Sequence, residues 1–354
     1  MFCSQCGHEL EYGTPYCPRC GARQTTEEKK GFASRMVSGI TDHVEGILGD
    51  GSHIDLDFSH FFSEVSHRHT KEEAEEIFIC GTPTTTPTIQ EAGYRWRRPW
   101  LYSRMLSIML LSLAGLLLVW ICFQNAVTLP GIILLGSFAV PFATLVFFYE
   151  MNVPRNISFL EMLEDFFMGG VASILVAHPL FALFPESGTG GFVPSLLTAL
   201  IEEFAKLIIV ACVIHRSNEG RYLLNGLLFG AAVGSGYASF ESAGYAFISL
   251  LEFESDLSML LTIVLRGFLA IGGHVAWAAI TGVALSIALD RGPVTWKVFL
   301  NSKFWTVFAI PIAMHTLWDW FSFPACIPLC IGVWIVLLVL IRRGFSEVNS
   351  LART

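Results

Sequence analysis

Residues 193–214 read VPSLLTALIEEFAKLIIVACVI. The run has the length of a bilayer-crossing helix, about 20 residues. Glu202, Glu203 and Lys206 interrupt it near the middle. A charge at that depth costs at least about 2.5–3.5 kcal/mol on insertion scales, so charged residues there mark a function or a buried pairing. The rest of the chain supports a membrane setting. It has 354 residues, of which 53% are hydrophobic and only 15% charged, with a mean hydropathy of +0.57. Soluble domains carry roughly 25% charge, so an ordinary cytosolic enzyme and a disordered chain are both excluded. The net charge of −8 argues against a surface that tracks nucleic-acid phosphates.

Working outward, eight apolar stretches fall at about 104–124, 128–149, 166–185, 193–214, 222–247, 268–289, 304–322 and 324–341. Residues 257–268 form either an interfacial helix leading into the sixth stretch or part of it. Lys and Arg partition between the loops. Arg95, Arg97 and Arg98 precede the first stretch, and the even-numbered stretches end near Arg155, Arg216, Arg221, Arg291, Lys297, Lys303, Arg342 and Arg343. The opposite loops, 125–130, 185–192, 249–258 and 322–324, have neither residue. Basic loops stay cytoplasmic, so both termini are expected on the cytoplasmic side of a multi-pass cell-membrane protein. The sequon at Asn156 would face the cytoplasm. The N-terminus has no basic and apolar leader, so no cleaved signal peptide is expected.

Residues 1–100 hold 10 Lys/Arg and 15 Asp/Glu, which sets a polar region before the membrane part. Cys3, Cys6, Cys17 and Cys20 form two C-x2-C knuckles, with Gly7 and Gly21 behind them. Four thiolates at that spacing close a tetrahedral structural zinc site. Two disulfides or a redox pair are the rival reading, but paired knuckles are a specific signal for zinc, and free thiolates suggest a reducing, cytoplasmic side. So short a module draws its stability from the metal. Thr70 and Glu73 have the spacing of a capping box, and 81–88 is rich in Thr and Pro. His53, His60, His67 and His69 match no metal-site spacing and read as solvated linker. The expected fold class is thus an all-α polytopic membrane protein of about eight transmembrane helices with a small N-terminal zinc ribbon. Its divisions are the ribbon at 1–24, a cytoplasmic linker with a short helix at 25–99, a membrane-embedded domain at 100–345 and a tail at 346–354.

Further polar residues interrupt the other stretches: His178 in the third, Glu241 in the fifth, His274 in the sixth, and His315 and Asp319 in the seventh. Lys206 reaches Glu202 or Glu203 at helical spacing, and His315 and Asp319 share a face. Gly272 and Gly273 let another backbone approach His274, and Gly230-x3-Gly234 is a small-residue packing face. At 1.5 Å rise per residue, Glu202 lies about 14 Å into its span. Glu241, His274 and His315 fall at similar depth, between the midplane and the outer interface. Carboxylates and imidazoles converging there suit a divalent metal with nitrogen and oxygen ligands, and a spare Glu suits a general base for water. Helix-bonding ion pairs with core histidines are the plainer alternative. It is favoured for His178, which has no acidic neighbour at helical spacing, but it does not explain two imidazoles at matching depth.

The motifs in order are Glu202-Glu203-Phe204-Ala205-Lys206, then Phe229-Gly230 leading to Phe240-Glu241, then His274 with Thr281-Gly282, then His315-Thr316-Leu317-Trp318-Asp319. Their order and placement on separate spans resemble the PrsW family of intramembrane metalloproteases, related to the CAAX prenyl endopeptidases and bacteriocin-processing membrane proteases. The resemblance covers roughly 95–345, including Pro99-Trp100. It implies a site-1-type endopeptidase cutting membrane-anchored proteins, such as anti-sigma factors in stress signalling, near the outer face. Carried over, Glu202 and Glu203 supply the base and one ligand. Glu241, His274 and His315 are ligands or oxyanion-stabilising groups, Asp319 orients His315 or holds substrate, and Lys206 tunes the carboxylates. The expected metal ligands are therefore Glu203, Glu241, His274 and His315, holding a divalent ion, zinc by preference. A glutamate-only mechanism needs the same glutamates. Ser242 departs from the family, where Asn often follows the second-motif Glu, and the ribbon lies outside the family pattern. The implied partners are a membrane-anchored substrate, the bilayer and a cytoplasmic protein for the ribbon, with no nucleic acid. A non-catalytic sensor or scaffold is the competing function. A transporter is disfavoured because no internal repeat or paired broken helices are visible.

Overall fold

Gly226, Gly230 and Gly234 recur every fourth residue along one face of the helix Leu223–Phe253, and that face decides the packing. It lies directly on the backbone of the helix His274–Leu289. A Cβ at Gly230 would collide with the Ala278 carbonyl, and one at Gly234 would collide with the carbonyl of His274. Only glycine permits this approach, which is the small-residue route to helix pairing in apolar surroundings. Gly236 does the same on another face against the Phe166 carbonyl.

The computed structural model describes residues 62–92, 98–185, 187, 190–217, 222–253, 255–321 and 323–353. In chain order the helices are α1 (Lys71–Phe78), α2 (Ile89–Ala92), α3 (Leu101–Phe123), α4 (Leu129–Met151), α5 (Phe159–Glu164), α6 (Gly170–Leu183), α7 (Phe192–Ser217), α8 (Leu223–Phe253), α9 (Asp256–Leu269), α10 (His274–Leu289), α11 (Ser302–Trp320) and α12 (Cys326–Ala352). A π-helical turn, Asp165–Gly169, joins α5 to α6. There are no strands among the described residues, and the protein is an all-α, multi-pass membrane protein. The four ribbon cysteines, His53 and His60 lie outside the described residues.

Eight helical stretches correspond to the eight expected spans, and six are long and apolar enough to cross a membrane by length and composition. The other two are α7 and α11. In α7 the three central charges lower the apolar character, and in α11 Trp305, His315, Trp318 and Asp319 do so. Several limits differ from expectation: α8 runs to Phe253 instead of 247, and α12 runs to Ala352, eleven residues past 341 and through the expected tail. The third span begins at Phe159, seven residues before the expected 166, because Ser158 caps it by accepting from the Glu161 amide at 3.1 Å. The sixth is broken: α9 packs against α4 and α8, a 3-10 turn covers Ala270–Gly272, and α10 starts at His274 itself. Gly272 lies against the backbone of Cys330 on α12, which leaves no room for a side chain at the break.

α8 is the hub, touching α4, the π turn, α6, α7, α9, α10 and α12. The N-terminus of α3 is fixed to it through α4. Glu150 accepts from the amides of Trp100, Leu101 and Tyr102 at 2.8, 2.9 and 2.9 Å, satisfying helix-end donors that have no partner within the helix.

The segment before the first span is docked. Thr70 and Glu73 form the expected reciprocal cap, yet His69 is stacked on Trp100 at 3.7 Å with its side chain 13% exposed. This departs from a solvated linker. Arg155 donates to the carbonyls of Glu76 and Ile77 at 2.7 and 3.0 Å, and the Cys80 sulfur lies 2.9 Å from the Tyr149 hydroxyl. These contacts satisfy the end of α1 from the loop after α4, so the segment packs there instead of projecting into water. His67 remains exposed.

Candidate active site

α7 places Glu202, Glu203 and Lys206 on one face because positions three and four apart align on a helix. All three are buried, at 5%, 0% and 0% exposure. Buried charges are tolerated only when paired, and these are. Lys206 Nζ donates to Glu203 Oε1 at 2.6 Å and to His274 Nδ1 at 2.8 Å, and lies 3.7 Å from Glu202 Oε2. It sits over the Tyr237 ring, 4.6 Å from its centre.

The contact with Lys206 fixes the tautomer of His274. An ammonium is donor-only, so Nδ1 carries the lone pair and Nε2–H donates to Glu241 Oε2 at 2.9 Å. His315 has the mirror arrangement. Its Nδ1–H donates to Glu203 Oε1 at 2.8 Å, and its Nε2 lies toward Glu202 and Asp319. Each imidazole thus rests one nitrogen on a carboxylate and turns the other inward. The two inward nitrogens, His274 Nδ1 and His315 Nε2, each lie 3.8 Å from Glu202 Oε2. That oxygen is buried and has no hydrogen-bond partner. Trp277 stacks on His315 with ring centres 4.4 Å apart and closes one side.

Three ligand atoms of Glu202, His274 and His315 lie within 4.8 Å of one another. Ligands on a tetrahedral zinc with bonds of about 2.0–2.1 Å sit about 3.3 Å apart, so a small contraction of this group closes on a cation. Glu202 Oε2 has no hydrogen bond and only the Lys206 ammonium, 3.7 Å away, as a counter-charge. In their usual charge states, the carboxylates of Glu202, Glu203, Glu241 and Asp319 outnumber the cations Lys206 and Arg266 by two, the charge a divalent ion would balance. A carboxylate behind each histidine is the support that metal-binding imidazoles ordinarily have. The residues present therefore fit a divalent metal.

All seven site residues expected within the membrane domain gather in this cluster, each with a different neighbour set. Glu202 faces both imidazoles. Glu203 holds Lys206 and His315, and its Oε2 is buried without a partner. Glu241 holds His274 and is itself paired to Arg266. Asp319 Oδ2 lies 3.4 Å from His315 Nε2, at the side where the cluster opens, with its side chain 32% exposed. His178 is exposed on α6, away from the cluster. Sequence reasoning missed Tyr237, Trp277 and the placement of Arg266. A signal existed for the aromatics: Tyr237 is one turn before Glu241 and Trp277 one turn after His274, so both share a face with a site residue.

Residues 129–342 match the family model for PrsW family intramembrane metalloproteases. A curated relative, Protease PrsW of Halalkalibacterium halodurans, is 26% identical over 194 residues, spanning 53% of this chain and 81% of the relative. No solved structure matches. The matched segment runs from the start of α4 into α12 and contains every residue of the cluster. The chain belongs to the PrsW family of intramembrane metalloproteases.

Proposed function

We propose that this membrane peptidase cuts membrane-anchored protein substrates near the outer face, in the manner of a site-1 protease acting on an anti-sigma factor. Glu202, His274 and His315 would hold a divalent cation, zinc by the donor set. The observation that carries the reading is the buried Glu202 Oε2, which makes no hydrogen bond and has an imidazole nitrogen on either side at 3.8 Å. Such a cation supplies Lewis acidity toward a peptide carbonyl and toward water. Relative to the expected ligand set of Glu203, Glu241, His274 and His315, the geometry favours Glu202 as the carboxylate ligand, with Glu203 and Glu241 behind the histidines.

The chain's own groups supply the rest. Glu203 Oε2 is the acceptor for the attacking water's proton and later gives it to the leaving amine. Lys206 holds Glu203 Oε1 and so keeps the other oxygen ionised and aimed. Trp277 and Tyr237 exclude bulk water from the histidines. Asp319, partly exposed beside His315, meets the substrate there. The substrate backbone must unwind to reach the cluster, because an intact helix hides its amides. The four N-terminal cysteines would hold a structural zinc and dock a cytoplasmic protein.

Glu203→Gln and His274→Ala test the site. Each should abolish cleavage of a membrane-anchored reporter while the protein still accumulates at the wild-type level. Cleavage retained by both variants would sink the assignment.

A further inference from the structure

Arg266 is the one cluster member that none of the roles above uses. It lies on α9, one turn before the break that leads into His274. A guanidinium within a membrane helix bundle is costly, yet here three groups converge on it. Its Nη2 donates to Glu241 Oε2. Its Nε donates to Ser242 Oγ at 3.0 Å. The Tyr245 ring lies beneath it at 4.4 Å. Carboxylate, hydroxyl and ring all come from one face of α8, so the planar fork is fixed in position and direction.

What the fork fixes is the carboxylate behind His274. Glu241 Oε2 accepts from Arg266 on one side and from His274 Nε2 on the other. With Nε2–H committed to Glu241, the lone pair of His274 lies on Nδ1, the nitrogen that faces Glu202. Were Glu241 free to rotate away, Nε2 would lose its acceptor, leaving only Lys206, which a cation must displace, to select the tautomer. Helix geometry does not supply this order, because His274 is the first residue of α10 and follows two glycines. We infer that Arg266 is a positioning residue that acts through Glu241 to hold His274 in its ligating tautomer and orientation. This rests on the reading of Glu202, His274 and His315 as a cation site.

The test is cobalt(II) binding by the full-length protein in detergent, with thermal unfolding followed in parallel. The visible ligand-field absorbance that wild type shows and His274→Ala lacks defines the membrane site and separates it from the cysteine ribbon. Arg266→Gln is expected to weaken cobalt affinity at that site by about 10- to 100-fold, the usual effect of losing an outer partner, and to change the band shape. Arg266→Lys keeps the charge but not the two-pronged geometry, and should recover part of the loss. Ser242→Ala should weaken binding less than Arg266→Gln. Wild-type affinity and band shape in folded Arg266→Gln would overturn the inference and leave the ion pair as packing alone, even if that variant melts earlier. Absence of any His274-dependent band in wild type would overturn the cation site itself, and the positioning role with it.

Discussion

Lys206 competes with any cation the cluster takes up. Its ammonium occupies His274 Nδ1 at 2.8 Å and lies 3.7 Å from Glu202 Oε2, two of the atoms that a metal would need. Ligation requires Lys206 to release Nδ1 while keeping Glu203. Lys206→Met should therefore tighten cation binding by about tenfold or more, since like charges near 4 Å repel by up to about 4 kcal/mol at a protein-like dielectric. The same change leaves Glu203 without its nearest cation, at a cost of about 3–5 kcal/mol. The metal-free variant should melt well below wild type, and metal should restore much of the difference. Chelator competition and thermal unfolding with and without metal check both halves; unchanged or weaker affinity contradicts the competition. The membership of this cluster was legible in the sequence because charge within an apolar span is too costly to be incidental. Which of Glu202 and Glu203 meets the imidazoles was not legible. Adjacent residues point about 100° apart on a helix, and only the placement of α10 and α11 shows that Glu202 faces both rings. Arg266 was not legible as a partner, because its contacts lie across a helix pair.

At the scale of elements, the α8–α10 contact holds His274 in place, since Gly234 lies against its carbonyl. Two glycines of α8 separate packing from propensity. At Gly230 a Cβ meets the Ala278 carbonyl, which belongs to a backbone and cannot swing away. At Gly244 nothing lies within 4 Å. Gly230→Ala should lose about 1–3 kcal/mol through overpacking, offset in part by the better helix propensity of Ala. Gly244→Ala keeps only the propensity gain, about 0.5–1 kcal/mol. Thermal unfolding in detergent should show the first melting below wild type and the second at or above it. Equal behaviour would mean that the close approach is not a constraint. Hydropathy located the spans because the membrane sets their length. It left open whether 257–268 forms a helix of its own before the sixth span, because Gly272 and Gly273 are as compatible with a buried helix as with a kink. Nor did it show that residues 62–92 dock, because that depends on Trp100, Tyr149 and Arg155 offering partners from elsewhere in the chain.

For the whole molecule, the open question of physical consequence is which side of the membrane the cluster faces. Glu202 lies ten residues from the start of α7 and His315 five from the end of α11, so the cluster sits toward the face carrying the turns at 125–128, 184–191 and 321–325. Those turns lack Lys and Arg, and the loops on the other face are rich in both. By the positive-inside tendency, we propose that the cluster faces outward, where a site-1 cut would fall. Val127 is 84% exposed in one turn of the first face, and Trp296 is 68% exposed in a turn of the other. In intact cells, Val127→Cys should gain labelling by a membrane-impermeant maleimide over the parent chain, and Trp296→Cys should gain it only after permeabilisation. The reverse pattern would move the cut to the cytoplasmic side and exclude an outward-facing site. Metal content then separates the two sites. Purified wild type should hold two metals per chain. The Cys3, Cys6, Cys17 and Cys20 quadruple Ser variant should hold one, and His274→Ala should also hold one. A single metal in wild type that vanishes with the cysteines would leave the membrane cluster without a tightly bound ion. The unpartnered Glu202 oxygen would then need another occupant, such as a proton or a water activated by glutamate alone.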